Sequence, residues 1–236
     1  MMYYGIPGRR HQLGTFYRQF IAPGALAFDV GAHVGNRLQA WLDIGAKAVA
    51  VEPQPACMAL LQQWYGHQES VTLLDMALGA KPSKHPIFIS RRTPTVTTLS
   101  PEWQEAVQQV DSFASVRWDQ QGTVNVTTLD DLIQRFGVPT FCKIDVEGYE
   151  YEVLKGLSQP IRTISFEYIP AALSISVNCI NRINELGRYQ FNWSPGERHQ
   201  LQAAQWMTSA EMIDELCRMD RNDDSGDVYA REISAQ

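Results

Sequence analysis

The residues best suited to chemistry start with the turn FDVGAHVGN, from Phe28 to Asn36, which follows an apolar run and precedes a helical pattern. Gly31 and Gly35 let the backbone turn sharply and bring amides toward a bound group, and the helix N-terminus behind them favours negative charge. A dinucleotide fingerprint would place glycine at position 33, where a pyrophosphate approaches the chain. His33 stands there and would crowd a phosphate pair. A single carboxylate is less demanding, and Asp29 at the end of the preceding strand can receive an ammonium group, so the turn suits an amino-acid moiety. Glu52 follows at about the 20-residue spacing from which an acid accepts hydrogen bonds from ribose hydroxyls. Asp75 ends a third apolar run and is a candidate acceptor for an adenine amino group, with Pro53 and Met76 offering apolar contact to the ring.

These residues need a scaffold that brings strand ends together. Ala25 to Val30 is an expected buried strand after the Pro23-Gly24 turn. Asn36 is the expected cap of a helix carrying Leu38, Trp41 and Leu42, which Gly45 stops. Lys47 to Glu52 reads as a strand, Leu60, Leu61 and Trp64 as a helix ended by Gly66, and Val71 to Leu74 as a third strand. Thr128 opens a helix with acids in its first turn and Leu129, Leu132, Ile133 and Phe136 on one face, stopped by Gly137 and Pro139. Strand Phe141 to Val146, helix Tyr149 to Lys155 ended by Gly156, strand Ile161 to Tyr168 and helix Ser174 to Leu186 follow. Tyr189 to Trp193 and Asp227 to Arg231 are candidate closing strands, and Phe16 to Ile21 a candidate N-terminal helix. Such alternation predicts an α/β domain with a mostly parallel sheet and helices on both faces. Residues 91–122 break the rhythm, being rich in Thr, Gln and Ser, with a short helix expected over Pro101 to Val110. A connection of that length is expected to be a lid or binding loop. One domain spanning 1–236, with an N-terminal helical extension over 1–23, fits best.

Composition narrows the class. With 44% hydrophobic and 19% charged residues in 236, the chain reads as an ordinary globular protein. A net charge of −6 gives no support to a general nucleic-acid binder, which would show excess Lys and Arg; Arg9, Arg10 and His11 are a short local exception. Cys57, Cys142, Cys179 and Cys217 are far apart, so neither a zinc knuckle nor a disulfide framework is expected. No stretch has signal-peptide or membrane-span character, so the expectation is a cytoplasmic protein without membrane contact.

Several longer segments carry a resemblance. FDVGAHVGN, AVEPQPACMALL, VTLLDMALG, SFEY and ELGRYQF, and above all TTLDDL followed by FCKIDVEGYEYEVLKG, resemble the FkbM-type methyltransferases over residues 25–193. His33 replaces a common asparagine, and Arg188 interrupts the usual Gly-Tyr pair. The resemblance implies a Rossmann-like class I methyltransferase fold with a seven-stranded sheet. It also implies S-adenosylmethionine as cofactor, S-adenosylhomocysteine as product, and transfer to a hydroxyl of a sugar or secondary metabolite. Carried onto matching positions, it implies a cofactor site of Asp29, Gly31, Ala32, His33, Gly35, Asn36, Glu52, Pro53, Asp75, Met76 and Ala77.

Methyl transfer to an alcohol needs alignment and benefits from a general base. Asp145 and Glu147, in DVEG at the end of the fourth strand, are the leading candidates for removing the proton, binding the acceptor or holding the cofactor ammonium. Glu167 is the next acid inward and could orient the acceptor. Lys143 shares the side of its strand with Asp145, as ion-pair partner or catalytic group. Thr97 and Thr98 are candidates to cover the site. Asp145, Glu147 and Glu167 could also hold Mg²⁺, but the expectation is metal-independent chemistry. The rival readings are a nicotinamide-dependent oxidoreductase on the same fold and a cofactor-binding protein without catalysis.

Overall fold

The computed structural model describes residues 9–233, so the first eight residues of the expected N-terminal extension, and Ser234 to Gln236, lie outside the described residues. The strands are β1 (Leu26–Val30), β2 (Lys47–Val51), β3 (Val71–Leu74), β4 (Ala77–Leu78), β5 (Ser83–Ile89), β6 (Gln120–Thr127), β7 (Phe141–Ile144), β8 (Thr163–Tyr168), β9 (Tyr189–Pro195) and β10 (Gly226–Glu232). The helices are α1 (Arg9–Tyr17), α2 (Leu38–Ile44), α3 (Pro55–Tyr65), α4 (Pro101–Val107), α5 (Leu129–Phe136), α6 (Glu150–Lys155), α7 (Leu173–Leu186) and α8 (Ser209–Cys217).

Seven strands form one sheet in the order β3-β2-β1-β7-β8-β10-β9. Every neighbouring pair from β3 to β8 is parallel, and β10 runs antiparallel to both β8 and β9. Parallel strands need crossovers, and the helices supply them on both faces. Strand residues alternate between two cores accordingly. Phe28, Val30, Cys142, Ile144, Ile164 and Phe166 pack with α5, α6, α7 and α8. Ala27, Ala48, Ala50, Phe141 and Tyr229 pack with α1, α2 and α3. The expected α/β architecture, a seven-stranded, mostly parallel sheet with helices on both faces, is the one observed.

Local signals explain most boundaries. Gly45 closes α2 in the left-handed region (φ 89°). Thr128 and Asp131 form a reciprocal capping box on α5, satisfying backbone donors that a helix start leaves orphaned. Asn36 does not cap α2: the N-cap is Arg37, without a side-chain cap bond, and Asn36 turns elsewhere. The N-terminal helix spans Arg9–Tyr17, earlier than the expected Phe16 to Ile21, because Phe20 and Ile21 fold back onto Tyr17 in a closing turn.

A second sheet, β4-β6-β5, has no counterpart in the sequence reading. Much of β5 and β6 is polar, and β5 carries Pro86, which is tolerated because β5 is an edge strand. This ladder carries residues 90–119 between its arms. That segment, expected to be irregular apart from one helix, contains α4 and its own apolar cluster of Val96, Trp103, Val107 and Val116, seated against Ile169 and Ala172. Its last expected residues, Gln120 to Gly122, belong to β6.

Candidate active site

The parallel strands end along one edge of the sheet, and because β10 is reversed its first residues, Gly226 and Asp227, reach that same edge opposite Tyr168 and Glu167. Ligands in open α/β sheets bind outside these strand ends. A cavity of about 310 Å³ lies there, a size suited to a small ligand.

The first wall is the glycine turn. Gly31 (φ 84°) and Gly35 (φ 79°) occupy conformations that L residues disfavour, and a Cβ on Gly31 would lie 1.8 Å from the Asp145 carbonyl oxygen. The turn is therefore packed backbone to backbone against the DVEG segment. Gly31, His33 and Asn36 line the cavity; Asn36 Oδ1 is buried there without a hydrogen-bond partner. His33 also sits at positive φ (50°), and burial holds its imidazole below the ordinary value.

The next wall comes from the ends of β2 and β3. Glu52 accepts the His33 amide at 2.7 Å and the Gln54 amide at 2.8 Å, so both its oxygens are held in place on the cavity edge. Burial pushes its carboxyl up to about 7 despite those bonds. Pro53, Met76 and Ala77 add apolar lining. Asp75 is solvent-exposed and is not among the lining residues, and neither are Ala32 and Gly35, whose role is in the turn itself.

The third wall holds the acids. Asp145 Oδ2 pairs with Arg37 Nη2 at 3.0 Å and Lys143 Nζ at 3.2 Å. Burial alone would raise this carboxyl, but the two cations outweigh it and hold it below the ordinary value. Glu147 and Glu167 line the cavity with Asp145, and one oxygen of each of the three lies within 4.8 Å of the others. Burial, then neighbouring acids, push both glutamates well above the ordinary range: Asp145 and Glu150 act on Glu147, and Glu147 acts on Glu167. Glu167 Oε2 is buried and unpartnered.

Glu147 takes its place through its backbone, which has a positive φ of 53° and is followed by Gly148 at 89°. Thr98 Oγ1 donates to the Glu147 carbonyl at 2.6 Å, and Glu150 accepts the amides of Val146 and Gly148 from within the loop. Thr97 lines the cavity and donates to Gln54 Oε1 at 2.9 Å, tying residues 90–119 to the end of β2.

Two anticipated residues lie beneath the cavity. Lys143 is fully buried in β7, and its ammonium also pairs with Asp227 Oδ1 at 2.7 Å. Asp29 is its neighbour in register on β1, is likewise fully buried, and has neither oxygen hydrogen-bonded; burial pushes its carboxyl up to about 6. Arg37, Gln54 and Asp227 went unnoticed in the sequence. Arg37 had a signal, as a basic residue directly after the glycine turn. Asp227 had none, because its presence depends on the reversal of β10.

The model of the FkbM methyltransferase domain matches residues 29–221. The chain belongs to the FkbM methyltransferase family. It is an S-adenosylmethionine-dependent methyltransferase, which sets the nicotinamide reading aside. The chain is similar in structure to a precorrin-6y C5,15-methyltransferase from Geobacter metallireducens (9% identity, 98% of this chain and 92% of that chain, TM-score 0.49). It is also similar to an O-methyltransferase from Bacillus cereus solved with S-adenosylhomocysteine (10% identity, 99% and 84%, TM-score 0.47). A third similar structure is an O-methyltransferase of tomaymycin synthesis from Streptomyces achromogenes (7% identity, 97% and 80%, TM-score 0.46). Among curated protein sequences, none matches this chain. No helix among the described residues of this FkbM-family protein is long and apolar enough to cross a membrane.

The lining is chemically compatible with such a cofactor: Glu52 is a carboxyl fixed by two backbone amides, Met76 and Pro53 give apolar surface, and Asn36 Oδ1 is an acceptor without a partner.

Proposed function

We propose that this enzyme methylates a hydroxyl oxygen of a small acceptor, a sugar or secondary metabolite, with Glu147 as the general base. The observation that carries the reading is the contrast between two adjacent carboxylates. Asp145 is clamped by two cations and stays ionised, so it has little tendency to take a proton. Glu147 has no cation partner among the described residues, and its proton affinity is raised. A base is most effective when its pKa approaches the working pH.

When bound, S-adenosylmethionine would supply an electrophilic methyl group for in-line attack by the acceptor oxygen, its sulfur being the group displaced and S-adenosylhomocysteine the product. Glu52, Pro53, Met76 and Ala77 hold the nucleoside end, and the turn from Gly31 to Asn36 holds the methionyl end. As the acceptor oxygen forms its bond to carbon, Glu147 takes the hydroxyl proton, and Glu167 orients the acceptor. Residues 91–122 act as the cover, with Thr95, Val96, Thr97, Leu99 and Phe113 excluding water from above. We assign the chain to the cytoplasm, consistent with four free cysteines.

We also propose that no metal takes part. Asp145, Glu147 and Glu167 could each offer an oxygen to a divalent cation, yet Asp145 Oδ2 is already taken by Arg37 and Lys143, which would compete with a metal for it. Chelator is expected to leave turnover unchanged. Loss restored by Mg²⁺ would replace the base reading with a metal one. Glu147→Gln is expected to lower kcat by about 10²-fold or more, with S-adenosylhomocysteine affinity by calorimetry unchanged. A parallel loss of cofactor affinity would move Glu147 into the cofactor site.

A further inference from the structure

The candidate base sits on a backbone that needs outside support. Glu147 has a φ of 53° and Gly148 one of 89°, and a residue with a side chain is uncommon in that region. Such a turn relaxes unless neighbouring groups fix it. From within the loop, Glu150 accepts the amides of Val146 and Gly148, on either side of Glu147. The carbonyl of Glu147 itself is bound by a residue far away in sequence: Thr98 Oγ1 donates to it at 2.6 Å.

Thr98 is anchored for that task. It is fully buried, and its amide and carbonyl pair with Phe88 at 3.1 and 2.9 Å, in an antiparallel bridge to β5. Its hydroxyl works twice, accepting the Ser100 amide at 2.9 Å while donating to Glu147. Ser100 in turn caps α4 by accepting the Trp103 amide, and Trp103 lies against Gly148. The adjacent Thr97 bonds to Gln54 beyond the end of β2. Strands β2 and β7 flank β1, so two consecutive threonines reach both sides of the glycine turn. Backbone on the second sheet and hydroxyl on the loop after β7, Thr98 carries the rigidity of one to the other.

We infer that Thr98 is a positioning residue for the candidate base: through the Glu147 carbonyl it fixes the left-handed turn that keeps this carboxyl on the cavity wall beside Asp145 and Glu167. The inference rests on the reading of Glu147 as general base. It gives residues 90–119 a part in the reaction beyond excluding water. Thr98 is not among the residues lining the cavity and acts through Glu147 alone. The charged groups around Glu147 are Asp145 and Lys143 from the β7 arm, Glu150 at the start of α6 and Glu167 at the end of β8. Release of the turn moves the carboxyl away from three acids and toward water, so its proton affinity falls toward the ordinary glutamate value.

The test follows the Glu147 carboxyl by carbon NMR on the full, ligand-free chain with isotope-labelled glutamate, its signal identified by its loss in Glu147→Gln. Thr98→Val removes the hydroxyl at nearly constant shape and is expected to lower the Glu147 midpoint by about one pH unit or more. Thr98→Ser keeps the hydroxyl and is expected to leave the midpoint in place. Glu52, held by the His33 and Gln54 amides, is the internal reference and should titrate alike in all three chains. An unchanged Glu147 midpoint in Thr98→Val overturns the inference. A parallel fall at Glu52 marks general loosening and overturns it too, as does a Thr98→Ser chain that behaves like Thr98→Val. Should Thr98→Val fail to fold, Thr98→Ala removes the same hydroxyl and carries the comparison. Full turnover in Glu147→Gln would instead end the base reading, whereas the hold of Thr98 on Glu147 is judged by the titration alone.

Discussion

At the scale of single residues, the acids of this cleft differ in their environments. Lys143 and Arg37 keep Asp145 charged, backbone amides hold Glu52, and burial beside other acids leaves Glu147 and Glu167 reluctant to ionise. Pairs of carboxylates pushed apart in proton affinity are how one site separates a fixed charge from a proton acceptor. The pH dependence of turnover follows. Glu147 must be ionised to act, so kcat is expected to rise with pH through its raised pKa. Glu150 contributes to that elevation from inside the loop. Glu150→Gln keeps an acceptor oxygen for the Val146 and Gly148 amides but removes the negative charge, which eases ionisation of Glu147. The acid limb of the kcat profile should therefore move to lower pH; a limb that stays in place would remove Glu147 from the profile. The acids themselves were legible in the sequence, as DVEG and SFEY at strand ends. Their electrostatic inequality was legible only in part: Lys143 was anticipated as an ion-pair partner of Asp145, whereas Arg37 comes from the start of α2 and was not.

At the scale of elements, the loop joining β7 to α6 is shaped by a segment distant in sequence. Trp103 of α4 lies where a Cβ on Gly148 would fall, with its Cγ 2.2 Å from that position. Thr98, from the same segment, bonds to the Glu147 carbonyl. Residues 90–119 thus hold the candidate base in its left-handed conformation, where strain is tolerated only because the surroundings over-determine it. Gly148→Ala combines a positive φ with an overlap against indole and is expected to cost about 2 to 4 kcal/mol in urea unfolding. Trp103→Ala in the same chain should relieve part of that cost, so the double variant is expected to be less destabilised than the sum of the singles. Additivity would mean that α4 does not press on this loop. The helix and strand boundaries around the loop were visible from Gly, Pro and capping residues. The β5–β6 ladder was not, since its apolar face is only two residues long on each strand, Ile87 and Ile89 against Val124 and Val126, and the rest of both strands is mostly polar.

At the scale of the molecule, the cleft gathers more buried carboxylates than its cations balance, and the fold bears the cost. Glu52 and Glu150 are both pushed up to about 7 by burial, from an ordinary 4.5. A carboxyl whose pKa is higher in the folded than in the unfolded state binds more protons when folded. Its stabilising contribution is present at low pH and is lost as pH rises toward the folded value. The ligand-free protein is thus expected to be less stable at pH 8 than at pH 6.5, read as a lower urea midpoint. His33 and His199, both held low by burial, act in the opposite direction mainly below about 6.5 and leave this window largely unaffected. A midpoint that is flat or higher at pH 8 would mean that these acids stay charged in the fold.

The sequence by itself determined the alternation of strands and helices, the glycine turn and the acids at strand ends, because periodicity, turn chemistry and capping act over a few residues. It also carried the family resemblance on which the word methyltransferase rests. Only the tertiary structure decided which acids face the cleft. Asp29 and Lys143 point beneath it and Asp75 faces solvent, while reversal of β10 brings in Asp227 and the start of α2 brings in Arg37. A side chain's charge state depends on its burial and on partners from other strands and helices, and those partners are fixed by the packing of distant segments.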